Sequence, residues 1–123
     1  MFGEMRLAAM LQSVRQGPGA LAARQALTMA TRNGARTLGL DSEIGTVETG
    51  KRADLVLIAR DRPALAPDPD PYSSIVYAAG PEDVTMTMVD GEILVRDGRT
   101  VRLDPAEIAA SARAEARALA ARL

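Results

Sequence analysis

Val84-Thr85-Met86-Thr87-Met88-Val89-Asp90-Gly91-Glu92-Ile93-Leu94-Val95-Arg96 is the stretch on which the fold turns. Val84 to Met88 alternates apolar and polar side chains, the period of a strand with one face toward a core. Asp90-Gly91 is a pair that readily takes the two positive φ angles of a tight hairpin turn. Glu92 to Arg96 therefore returns beside Val84 to Val89. A two-residue turn sets the register: Val89 faces Glu92, Met88 faces Ile93, Met86 faces Val95, and Val84 faces Asp97. This gathers Val84, Met86, Met88, Ile93 and Val95 on one apolar face. Asp97-Gly98 repeats the turn signal before Arg99 to Arg102, so a three-stranded antiparallel meander is expected.

Upstream, Ala53 to Ala59 is an apolar run of strand length interrupted only by Asp54, the pattern of a strand buried on both faces. Glu48-Thr49-Gly50-Lys51 is its turn-rich entry. The first third is helical. Leu7, Met10, Leu11 and Val14 recur at helical spacing, and Gly17-Pro18-Gly19 ends that helix. A second helix is expected from about Leu21 to Ala30, with Leu27 and Ala30 on one face. A third, capped by Thr31, ends at Gly39, where a left-handed residue costs little and Leu40 can fold back.

Between the buried strand and the hairpin, Asp61 to Asp83 is rich in Pro and Asp and includes Pro67-Asp68-Pro69-Asp70-Pro71. It reads as a long loop, uncommon inside a compact domain unless it lies on something. In the tail, Leu103-Asp104-Pro105-Ala106-Glu107-Ile108 is a strong helix start: a capping Asp, Pro at the first helical position, Glu closing a capping box, and a Leu to Ile staple. That helix runs to about Ala121 with a shallow stripe of Ile108, Ala112, Ala116, Leu119 and Leu123. The class is α+β, with a small antiparallel or mixed sheet. Its organisation is helices over 1–40, a β region over 41–103 with the Pro/Asp-rich loop at 61–83, and a terminal helix over 104–123.

Composition narrows the function. The 123 residues include no histidine and no cysteine, so a zinc-type site would have to be built from carboxylates, which suit harder ions. With two Tyr, one Phe and no Trp, the core must come from aliphatic residues and Ala. Fifteen basic residues interleave with sixteen acidic ones, which argues against a nucleic-acid surface. No apolar run is long enough to cross a bilayer, and Met1-Phe2-Gly3-Glu4-Met5-Arg6 lacks a signal-peptide layout, so a cytoplasmic protein is expected.

Each residue that could carry chemistry also has a structural reading. Asn33-Gly34 reads as a helix start rather than a substrate contact. Lys51 beside Asp54 reads as a turn into the strand, with Asp54 bonding nearby backbone, rather than as an acid-base pair. Asp68 and Asp70, alternating with proline, are held extended and lack the ligand number of a calcium loop. Glu82 and Asp83 read as solvated turn residues. Met86 and Met88 fill core gaps, since soft-metal sites usually recruit Cys or His as well. The first helix, with Arg6 and Arg15, carries too few cations for a membrane-surface anchor. No catalytic, cofactor-binding or metal-ligating residue is assigned.

Ala26-Leu27-Thr28-Met29-Ala30-Thr31-Arg32-Asn33-Gly34-Ala35-Arg36-Thr37-Leu38-Gly39-Leu40, followed by Glu43-Ile44-Gly45-Thr46-Val47-Glu48-Thr49-Gly50-Lys51-Arg52-Ala53-Asp54-Leu55-Val56-Leu57, resembles the carboxyl end of the amidohydrolase superfamily. The likeness is to the chlorohydrolase and adenosine-type deaminase branch, including methylthioadenosine/S-adenosylhomocysteine deaminase. Asp70-Pro71-Tyr72-Ser73-Ser74-Ile75-Val76-Tyr77-Ala78-Ala79, Val89-Asp90-Gly91 and the opening Glu4-Met5-Arg6-Leu7-Ala8-Ala9-Met10-Leu11-Gln12 look like the same branch in the same order. The resemblance implies the terminal helices of a (β/α)₈ barrel and part of a small β-sandwich, in a parent that hydrolyses non-peptide C–N bonds using zinc or another divalent metal. The family's His-x-His pair, later histidines and Asp lie upstream of the matched region, so none of its functional residues transfers to this chain. The expected partners are a separately encoded amino-terminal half or further copies of the chain, with neither nucleic acid nor membrane. The alternative is a non-catalytic interaction module that binds a partner through its sandwich strands.

Overall fold

The computed structural model describes residues 1–67 and 70–122, and shows a helical lobe joined to a four-stranded antiparallel sheet. The strands are β1 Leu55–Ile58, β2 Val84–Val89, β3 Glu92–Arg96 and β4 Arg99–Thr100, ordered β1-β2-β3-β4. The hairpin turn forms as its sequence dictates, with φ of 51° at Asp90 and 80° at Gly91. Next to the turn the expected pairs Val89–Glu92 and Met88–Ile93 are present.

Beyond them the register departs from expectation. Thr87 pairs with Val95 and Met86 with Arg96, because Leu94 is an extra residue that bulges out of β3. The Asp97 N–H donates to the Thr85 carbonyl at 2.7 Å, continuing the ladder in the shifted register. Paired residues share a face, so Val95 leaves the Met86 face and joins that of Thr87. Val84 lies opposite Ile58 of β1. The third strand of the meander is also shorter than expected.

β1 pairs with β2 alone, which leaves its other edge open among the described residues. It is not buried on both faces: Val56 and Leu57 are each about half exposed. Its continuous apolar composition matches a sheet apolar on both sides. Leu55 and Leu57 register with Met88 and Met86 on one face, while Val56, Thr87 and Val95 register on the other.

Helix α1 spans Phe2–Gln16, and apolar side chains lie on two of its sides. Met5 and Ala9 face the core, whereas Leu7, Met10, Leu11 and Val14 stay exposed, Val14 by 85%. The apolar spacing in the sequence is helical, but it marks the second apolar side of a helix apolar on two sides. Next come α2 Ala23–Thr28, a π-helical stretch Met29–Asn33 and α3 Gly34–Thr37, which run as one rod over 23–37. The predicted break at Thr31 does not occur. The Thr31 hydroxyl instead donates to the Leu27 carbonyl at 2.8 Å within the rod. The Gln25 side chain reaches back to accept the Ala22 N–H at the rod's start. The rod ends at Gly39 with φ of 70°, and the Leu40 N–H bonds the Ala35 carbonyl at 2.9 Å, as predicted.

Much of the segment 61–83 is helical rather than loop-like; Asp68 and Pro69 lie outside the described residues. Pro63–Leu65 forms a 3-10 turn, α4 Pro71–Ser73 continues as a π-helical Ser74–Ala78, and Pro81–Asp83 forms a second 3-10 turn. Val76 is fully buried against Met5, Ala9, Ala23 and Ala26, with Phe2, Leu21, Leu27, Ala30 and Ile75 around them. This Pro/Asp-rich stretch therefore supplies the centre of the core. Four pieces of helix meet there, and Ala lets them pack closely where few large side chains are available.

Helix α5 Pro105–Ala120 starts as expected, with the Asp104 carboxylate accepting the Ala106 N–H at 2.8 Å. The cap is one-sided, since Glu107 makes no return bond, and Leu103 and Ile108 remain exposed instead of closing a staple. None of its residues is buried, and Leu123 of the expected stripe lies outside the described residues. Among the described residues no helix is long and apolar enough to cross a membrane.

Candidate functional site

The residues that stand out for chemistry are held by backbone. Asn33 and Gly34 sit inside the 23–37 rod with helical φ and ψ, and Asn33 caps nothing, which corrects the expected helix start. The Lys51 ammonium is largely buried by its loop. It donates to the Asp41 carbonyl and the Thr46 hydroxyl, both at 2.7 Å, with the Glu48 carboxylate 3.9 Å away. A cation held by three oxygens is a loop clasp. Asp54, one turn along, points its carboxylate at the Asp90 N–H, 2.7 Å away at the hairpin turn.

Asp70 caps α4. Its carboxylate accepts the Ser73 hydroxyl at 2.6 Å, the Ser73 N–H at 3.1 Å and the Tyr72 N–H at 3.3 Å. The Ser73 hydroxyl foremost, with the two backbone N–H donors, holds its pKa below the ordinary carboxylate value against the opposing effect of desolvation. Asp68, the other member of the expected pair, lies outside the described residues. Asp83 corrects the expectation of a solvated turn residue. It is 3% exposed, accepts the Gly80 N–H at 2.9 Å and lies 3.5 Å from the Arg62 guanidinium. Pro81 at the first helical position with Asp two residues later is a helix-start signal that could have flagged it.

Arg6 is no surface anchor. Its guanidinium reaches across from α1 to the carbonyls of Val76 at 3.3 Å and Ala79 at 2.9 Å, at the carboxyl end of the 71–78 helical segment. Nothing in its sequence neighbourhood signals this contact, which spans 73 residues at its longer reach. Met86 and Met88 are half-buried in β2, and Arg15 is exposed at the end of α1.

Among the described residues no three of His, Cys, Asp and Glu come together to hold a metal ion. The most distinctive surfaces are apolar and open. An open cleft of 490 Å³ between α1 and the rod is lined by Met1, Glu4, Met5, Ala8, Ala26, Met29 and Ala30. A groove of 210 Å³ follows β1 along Val56, Leu57 and Ile58, against Leu65, Ile75 and Ala79. The exposed face of α1 is a third such surface. All three are exposed apolar surfaces.

Residues 1–94 match the family model described as "Amidohydrolase family". The chain belongs to the amidohydrolase family. Among its relatives is the 5-methylthioadenosine/S-adenosylhomocysteine deaminase of Moorella thermoacetica, 47% identical over 109 residues, which cover 88% of this chain and 26% of that protein. Two solved structures, both with zinc, share the fold of this chain over part of their own length. An adenosine deaminase from Xanthomonas campestris superposes with a TM-score of 0.88 at 37% identity, covering 92% of this chain and 26% of its own length. The atrazine chlorohydrolase TrzN from Arthrobacter aurescens superposes with a TM-score of 0.83 at 30% identity, covering 93% and 26%. The chain thus spans about a quarter of the amidohydrolases it matches. Its own donor set, without imidazole or thiolate, does not fit zinc.

Proposed function

We propose that this chain is the carboxyl-terminal portion of a metal-dependent amidohydrolase of the deaminase or chlorohydrolase type, whose metal ligands and substrate-reading loops lie on the portion upstream. In this reading residues 1–40 are the terminal helices of the (β/α)₈ barrel, 41–103 part of the small β-sandwich and 104–123 a terminal helix. The parent reaction is hydrolysis of a C–N or C–Cl bond on a nitrogen heterocycle.

This chain's share of the work is architectural. The apolar side of α1 and the cleft beside it close the barrel and keep water from its seam. β1 and the two apolar sheet faces receive the remaining strands of the sandwich. Arg6 locks α1 to the 71–79 segment within the helical lobe, and Asp54 locks the entry of β1 to the hairpin within the sheet. No step of the chemistry is assigned to a residue of this chain.

The observation that carries the reading is the open apolar face of Leu7, Met10, Leu11 and Val14 in a chain that superposes on one quarter of zinc-bound enzymes. Its partner is a separately encoded amino-terminal half, an upstream part of the same polypeptide, or a second copy that covers the same faces by exchange. The upstream coding sequence tests this. A reading frame carrying a His-x-His pair, later histidines and an Asp at barrel-strand ends is expected. An unrelated neighbourhood would overturn the reading in favour of a stand-alone interaction module.

A further inference from the structure

We draw no further inference here: the strongest candidate, the apolar cleft between α1 and the 23–37 rod, belongs to the surface already assigned to the upstream portion of the enzyme, and nothing in the structure shows anything else that covers it.

Discussion

The Asp54 carboxylate accepts the backbone N–H of Asp90 at 2.7 Å, tying the residue that leads into β1 to the turn of a hairpin 36 positions later in the chain. The Gly91 N–H adds a second tie to the Ala53 carbonyl at 3.1 Å. Two amides of a tight turn are thereby satisfied by the neighbouring strand's entry, and the order β1-β2-β3 is fixed at this end of the sheet.

Replacing Asp54 with Ala removes the charged acceptor from an amide at the sheet's end. The expected loss is about 1 kcal/mol in a denaturant melt, with Asp54→Asn losing less because an amide oxygen can still accept. Hydrogen exchange should quicken at Asp90 while the Leu57–Met86 end of the β1–β2 ladder keeps its protection. Uniform loss of protection across the sheet would show that the contact does not act locally.

Gly45 and Gly91 both have positive φ, of 92° and 80°, but differ in surroundings. A Cβ at Gly45 would lie 2.7 Å from the Ala35 Cβ and 3.2 Å from the Arg32 Cα, whereas one at Gly91 meets nothing within 4 Å. Gly91→Ala should cost about 1–2 kcal/mol from backbone strain alone. Gly45→Ala carries that strain plus the clash that pushes the loop off the rod, and should cost more. Equal shifts in the melting midpoint would mean that the 41–47 loop does not pack on the rod as described.

Asp70 sets a pH dependence whose sign follows from its donors. Its folded pKa is depressed, so its contribution to stability is present above the ordinary carboxylate pKa and disappears as pH falls through the lower folded value. Ser73→Ala removes the largest cause and should move the Asp70 pKa up toward its ordinary value in an NMR titration. The stability difference between the native chain and Asp70→Asn should shrink at acid pH. An Asp70 pKa unmoved by Ser73→Ala would assign the depression to something else.

Local chemistry was legible in the sequence; long-range packing was not. Asp90-Gly91, Gly39 and the Asp104-Pro105 start each act through one or two neighbouring residues, and each is where the sequence puts it. The bulge at Leu94 was hidden because a perfect two-residue turn is compatible with a slip farther along the strand. The spacing of Leu7, Met10, Leu11 and Val14 marks α1 as a helix but does not say which side packs inside the chain, where Met5 and Ala9 are buried and the larger apolar residues are not. The 61–83 segment reads as a loop in the sequence because its prolines look like breakers when no neighbour is known, whereas in the fold they start short helical turns at Pro63, Pro71 and Pro81. The family is legible because its ordered motifs span the chain, and the carboxylates of Asp54, Asp70 and Asp83 each accept a backbone N–H.

In the proposed reading this chain completes an amidohydrolase without supplying its metal chemistry. Elemental analysis of the purified, dialysed chain tests it most directly, read together with ammonia release from adenosine, cytosine and triazine substrates in zinc-supplemented buffer. Zinc far below one ion per chain and no turnover are expected; one tightly held zinc per chain, or zinc-dependent ammonia release by the chain alone, would contradict the claim.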